Sequence, residues 1–125
     1  MILMDSSGWI ELAGRGPRCE AFAEMLRGAD AVVVPTVVVR EVYRAVELSA
    51  GRARADQISR YLASFHVVPL DLDLAISAAR YAHDLKLALA DSIVYATARA
   101  CGARIVTGDA DFAALPDVDF IAVEQ

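Results

Sequence analysis

Three features of this 125-residue chain predict an α/β fold with a central, mainly parallel five-stranded sheet and helices on both faces. Short β-branched runs alternate with longer stretches of helical period, the order that gives parallel strands joined by crossover helices. The run Ala31 to Pro35 is apolar throughout, without in-and-out alternation, as a strand covered on both faces requires. A hydrophobic content of 57% suffices for one buried core at this length, so a single domain over residues 1–125 is expected.

The elements follow in order. Ile2 to Met4 reads as a first strand, stopped by Asp5-Ser6-Ser7-Gly8, a turn that caps a helix from about Trp9. Proline suits a first helical turn, and Phe22, Ala23 and Leu26 recur at helical spacing, which predicts a helix from Pro17 to about Arg27 closed by Gly28. Ala31 to Pro35 is the second strand, with Thr36 capping a helix over 37–49 that carries Val38, Val42, Tyr43 and Val46 and ends at Gly51. A helix from about Ala53 to Phe65 places Ile58, Tyr61, Leu62 and Phe65 on one side. Val67 to Leu70 is the third strand, followed by helices over 73–85 and 90–101, the latter closed by Gly102. Arg104 to Thr107 is the fourth strand, Asp109 to Leu115 a brief helical turn, and Asp119 to Val123 the fifth strand.

Composition narrows the partners. A net charge of -5 and a pI near 4.9 argue against binding nucleic acid through a broad basic face. Any such contact must be local or assisted by a metal ion. The start Met-Ile-Leu-Met-Asp lacks the basic and apolar segments of an export signal. No apolar run approaches the ~18 residues of a membrane span, and a cytoplasmic protein without membrane contact is expected. Cys19 and Cys101 have no spacing that suggests a zinc site or redox pair.

In a parallel α/β sheet, ligands bind outside the carboxyl ends of the strands, and four carboxylates fall at that edge. Asp5 ends the first strand, and Asp109 lies two residues beyond Thr107 at the end of the fourth. Glu41 sits early in the helix that leaves the second strand. Asp91 opens a helix running antiparallel to the fourth strand, so its N-terminus returns to the same edge. Each has a local alternative: an Asx turn for Asp5, a helix cap for Asp91, an ion pair with Arg40 or Arg44 for Glu41, a polar loop for Asp109 and Asp111. All four alternatives must hold together for the convergence to be accidental. Gathered carboxylates repel one another and take up protons unless a cation sits among them. Oxygen-only ligation points to Mg²⁺ or Mn²⁺, and such an ion, bound by acids and water, suits phosphodiester hydrolysis.

At these positions the sequence resembles the PIN-domain family, and within it the VapC-type toxin ribonucleases of type II toxin-antitoxin systems. The matching segments are Met4-Asp5-Ser6-Ser7-Gly8-Trp9-Ile10, Pro35-Thr36 through Arg40-Glu41-Val42, Leu89-Ala90-Asp91-Ser92 through Ala98, and Val106-Thr107-Gly108-Asp109-Ala110-Asp111-Phe112. The resemblance spans nearly the whole chain. It implies a PIN-like three-layer α/β/α sandwich, Mg²⁺- or Mn²⁺-dependent endonuclease cleavage of RNA, a small cognate antitoxin of the VapB type, and a homodimer. It assigns Asp5, Glu41, Asp91 and Asp109 as catalytic, metal-binding acids, with Ser6, Ser7 and Thr107 as supporting hydroxyls. Asp111 either helps with a second ion or caps the short turn. Gly108 stands where relatives often carry a bulkier or basic side chain.

Two rivals fit parts of the pattern. A phosphoacceptor receiver domain shares the length, the parallel layout and an acidic Mg²⁺ pocket, but needs a lysine after the fifth strand, whereas the only lysine is Lys86. A catalytically inactive PIN fold acting as a binding module is the other, and the presence of all four acids counts against it. His66 and His83 follow no motif, and Trp9 is expected to pack the first helix. Two readings fit Arg15, Arg18, Arg40, Arg44, Arg52 and Arg54 equally: guiding an RNA backbone toward the acids or, for most of them, solvated helix faces. The apolar residues over 53–65 and 73–85 exceed one core stripe and suit a dimer or antitoxin groove.

Overall fold

A computed structural model describes residues 1–122. Five strands, β1 (Ile2–Met4), β2 (Val32–Pro35), β3 (His66–Val68), β4 (Arg104–Thr107) and β5 (Val118–Phe120), form one sheet in the order β3-β2-β1-β4-β5. Every pairing is parallel. Six helices accompany the strands: α1 (Ser6–Gly14), α2 (Cys19–Gly28), α3 (Thr36–Ala50), α4 (Arg52–Leu62), α5 (Leu72–Leu85) and α6 (Leu89–Cys101). Successive strand residues point to opposite faces, yet all of β1 and β2 is buried, so helices cover both faces in the expected α/β/α layers.

The core explains the helix choices. Leu3, Met4, Val33, Val34, Ile105 and Val106 fill the sheet centre, and Phe22, Val38, Val42, Leu62, Val94 and Phe112 close on it from the helices. α6 is buried from Ser92 to Ala98, all round the helix, and its two hydroxyls turn back onto its own carbonyls: Ser92 Oγ donates to Leu89 O, and Thr97 Oγ1 to Ile93 O. A polar residue is thereby tolerated inside the core without an external partner. Trp9 packs as expected, 3% exposed, against Tyr61 and Phe65.

Several boundaries differ from the sequence reading. α1 starts at Ser6, so Asp5-Ser6-Ser7-Gly8 is a helix start and not a separate turn. Gly8 permits this: a Cβ there would lie 2.6 Å from Met4 Cγ and 2.9 Å from Phe22 Cδ1, so the first turn lies close on the strand only because Gly8 has no side chain. Pro35, not Thr36, is the N-cap of α3. α2 begins at Cys19 because Arg18 is drawn away from the helix by the contacts described below. α4 ends at Leu62, and Phe65 reaches the aromatic cluster from the following turn. β3 stops at Val68 because Pro69 has no N–H to continue the ladder. The turn after β4 shrinks to a single 3-10 turn, Ala110–Phe112, and β5 begins one residue early at Val118. Val123 lies outside the described residues.

The order 3-2-1-4-5 reverses direction between β1 and β4, which opens a crevice at their carboxyl ends. Met4 pairs with Val106, so Asp5 and Thr107 are the next residues on either side of that crevice. Large apolar side chains remain exposed on the helices, notably Tyr61, Leu72, Ile76 and Leu89. Among the described residues no helix is long and apolar enough to cross a membrane.

Candidate metal centre at the carboxyl edge of the sheet

Asp5 is the N-cap of α1, but its side chain does not cap the helix. Both carboxylate oxygens are taken by hydroxyls instead: Ser7 Oγ donates to Oδ1, and Thr107 Oγ1 donates to Oδ2 at 2.6 Å. The Asx-turn alternative is therefore absent. Each hydroxyl also accepts a backbone N–H from the loop after β4, Gly108 N to Ser7 Oγ at 2.9 Å and Asp109 N to Thr107 Oγ1 at 2.9 Å. Asp5 is 5% exposed, and burial pushes its pKa up, partly offset by the two hydroxyls, while the charge of Asp109 adds to the rise.

Glu41 projects from the second turn of α3 toward the same region. Burial raises its pKa first; the Ser6 hydroxyl lowers it, Asp5 raises it, Arg40 lowers it and Asp109 raises it. It makes no salt bridge with Arg40 or Arg44, so the ion-pair alternative is not realised. Asp91 lies in the first turn of α6. Its pKa is pushed up to about 6, by burial first and then by the charges of Asp109, Asp111, Asp5 and Glu41 in that order. Asp109 caps the 3-10 turn by accepting from Asp111 N at 2.9 Å.

The tightest convergence is a trio. Asp91, Asp109 and Asp111 each bring a ligand oxygen to within 4.8 Å of the other two. Asp5 and Glu41 flank this trio and share its electrostatic field. Asp111 donates its backbone N–H to Asp109, so Asp109 and not Asp111 caps the turn, while the Asp111 carboxylate joins the trio. An all-oxygen set in which burial and the charges of Asp109 and Asp111 push up the pKa of Asp91 suits a hard divalent cation, since added positive charge removes the repulsion. His66 and His83 are exposed and outside this group.

A cleft of about 580 Å³ between α3, α4 and β3 is lined by Arg40, Tyr43, Arg44 and one carboxylate, Glu47, and does not contain the acids of the strand edge. One residue escaped the sequence reading. Arg18 is not on a solvated face but largely buried, linked to Glu11 at 2.8 Å and to the carbonyl of Gly108 at 3.1 Å. Gly108 makes the room for it: a Cβ there would lie 2.8 Å from Arg18 Cζ.

Comparison with known proteins agrees with this geometry. The PIN domain profile matches residues 2–118. Ribonuclease VapC4 of Mycobacterium tuberculosis is 35% identical over 85 residues, covering 62% of this chain and 65% of that relative, so the chain spans just under two thirds of its length. Among solved structures, a toxin-antitoxin complex from Klebsiella pneumoniae superposes with a TM-score of 0.82 at 23% identity, covering 98% of this chain and 100% of the other. VapC20 of Mycobacterium tuberculosis, described as a sarcin-ricin loop cleaving toxin, superposes with a TM-score of 0.79 at 20% identity and 98% coverage of both. A profile that starts at the first strand and runs into the fifth takes in all five acids of the edge, and the chain belongs to the PIN domain family.

Proposed function

We propose that this chain is a single-domain, Mg²⁺- or Mn²⁺-dependent endoribonuclease of the cytoplasm and the toxin of a toxin-antitoxin pair. The observation that carries the reading is the trio Asp91, Asp109 and Asp111 with Asp5 and Glu41 beside it. The likeness to ribonuclease VapC4 supports the substrate class, and the toxin-antitoxin complex with the same fold supports the partner. The exposed apolar residues of α4 and α5 suit a small antitoxin of the VapB type and a second copy of the chain.

Asp91, Asp109 and Asp111 would hold the cation, with Asp5 and Glu41 completing the negative field. When bound, the ion supplies a Lewis acid that neutralises phosphate charge and lowers the pKa of a water nucleophile. The chain's own residues do the orienting. Ser7 and Thr107 fix both oxygens of Asp5, and Ser6 supports Glu41, so the acids meet the substrate in one arrangement. Asp91, whose carboxyl pKa is pushed up to about 6 by burial and by the neighbouring acids, would hold the cation as a carboxylate.

The receiver alternative does not fit the sheet, because receiver-type folds run 2-1-3-4-5 and this one runs 3-2-1-4-5. The test is direct. Purified protein, free of antitoxin, is expected to cleave RNA with Mg²⁺ or Mn²⁺ and to stop on addition of EDTA. Asp5→Asn and Asp91→Asn are each expected to abolish cleavage with circular dichroism unchanged. Undiminished cleavage by both variants refutes the reading.

A further inference from the structure

Arg18 lies in the connection between α1 and α2, 90 positions from Gly108, yet its guanidinium reaches the loop that carries Asp109. Nε donates to Glu11 Oε1 at 2.8 Å, and Nη1 donates to the carbonyls of Gly108 and Ile121, both at 3.1 Å. The Arg18 and Glu11 side chains are 16% and 12% exposed, and the guanidinium also stands over the buried Phe22 ring. Two glycines make the room. A Cβ on Gly108 would overlap Nη1 and lie 2.8 Å from Cζ, and a Cβ on Gly16 would overlap the Glu11 carboxylate.

The bond to Gly108 O matters because of which peptide it belongs to. The unit joining Gly108 to Asp109 has its carbonyl on Arg18 and its N–H on Thr107 Oγ1. The preceding unit has its N–H on Ser7 Oγ. A peptide unit is planar, so fixing both of its polar ends fixes Asp109 Cα, and the Asp109 carbonyl, which accepts from Phe112 N at 3.2 Å, fixes the next unit and with it the direction in which the side chain leaves the backbone. Thr107 and Ser7 are also the hydroxyls that hold Asp5. Arg18 is the outer clamp of one network that sets both acids, and the planar fork of its guanidinium is suited to three acceptors at once.

We propose that Arg18, seated in the space left by Gly108, is a positioning residue that aims the Asp109 carboxylate into the acid cluster. This rests on the cluster being a cation site, as proposed above. Removal of a residue that orients a metal ligand commonly costs about 10- to 100-fold in metal affinity. The test uses Mn²⁺ alone as probe, titrated calorimetrically into the wild-type chain, Arg18→Ala and Gly108→Ala, with amide hydrogen exchange at Asp109 measured in parallel. Gly108→Ala keeps the arginine but displaces its head, and it serves if Arg18→Ala does not fold. Arg104→Ala, a surface arginine at the other end of the sheet, is the control. Both site variants are expected to bind Mn²⁺ at least ~10-fold more weakly and to exchange the Asp109 amide at least ~10-fold faster, with the control unchanged on both readouts. Affinity and exchange within about twofold of wild type in a folded variant overturn the proposal. If the wild type takes up no Mn²⁺, the metal reading of the cluster falls, and exchange at Asp109 alone decides whether Arg18 holds the loop.

Discussion

The two ends of the same parallel strands carry the same kinds of residue and treat them in opposite ways. Around the amino ends of β2 and β4 three carboxylates have a cation. The N-terminal ammonium meets Asp30 at 2.8 Å, Arg99 meets Asp117 at 2.6 Å, and Arg104 grips Asp119 through two bonds of 3.0 and 3.1 Å. At the carboxyl end Asp5, Glu41, Asp91, Asp109 and Asp111 make no salt bridge among the described residues. Burial is part of the contrast, but charge completes it: the Asp30 carboxyl is held below its usual range by the ammonium, while Asp5, Glu41 and Asp91 are all pushed above theirs. Glu24, Asp56, Asp71, Asp73 and Asp84 make no salt bridge among the described residues either, so it is convergence that sets the acids of the carboxyl edge apart. A fold that pairs acids one by one at one edge leaves five without a salt bridge at the other, which is the arrangement a cation site requires.

The largest expected effect breaks the contrast at its centre. Asp91→Asn removes one carboxylate from the trio and is expected to lower RNA cleavage by at least ~100-fold, beyond what loss of a supporting residue causes. The matching change at the other edge, Asp119→Asn, is expected to leave cleavage within about twofold, since that carboxylate only meets Arg104. Single-turnover cleavage of one RNA by both variants checks the pair. Equal losses would mean the two edges do not differ in function.

Cation binding should erase the difference between the edges, which gives the next effect. At 100 times its dissociation constant, Mn²⁺ is expected to stabilise the native state by about 2.7 kcal/mol. For a domain of this size that raises Tm by roughly 8–12 °C by calorimetry. Asp91→Asn should lose most of that shift and Asp119→Asn none of it. Without metal, the sign of the pH dependence distinguishes the edges. Asp91 titrates at about 6 when folded and at 3.8 when unfolded, so the folded state keeps its proton longer. Its contribution is complete below pH 3.8 and is lost as pH rises through 6, by about 1 kcal/mol once its partial exposure is allowed for. Asp30 runs the other way, adding stability above its unfolded value and losing it as pH falls through its lowered one. Urea unfolding of metal-free protein between pH 4 and 7 should show the Asp91 slope, and Asp91→Asn should flatten it.

These opposed edges were unequally legible in sequence. The first and fourth strands were readable to the residue, because β-branched runs bounded by Asp5 and Asp109 leave little choice of register, and four acids placed at strand ends follow from the crossover rule alone. The start of α1 was not. Asp5-Ser6-Ser7-Gly8 satisfies turn chemistry locally, whereas one oxygen of the Asp5 carboxylate is taken by Thr107, 102 positions away. Asp111's place in the closest trio and the burial of Arg18 have the same origin: both depend on how the loop after β4 is held by hydrogen bonds from other elements. Periodicity reports which face a residue occupies, not which distant group takes its last hydrogen bond.

The smallest expected effect sharpens the comparison from the paired side. Arg104 contacts Asp119 through two bonds and Asp117 at 3.5 Å, an arrangement that looks stronger than any single contact at the acidic edge. Its side chain is half exposed, however, and water stabilises the separated charges nearly as well as they stabilise each other. Arg104→Ala is accordingly expected to lower Tm by no more than about 2 °C and to leave Mn²⁺ uptake unchanged. A much larger drop would mean that the amino edge is held by its charges and not by the packing of Leu3, Ile105 and Val106 beneath them.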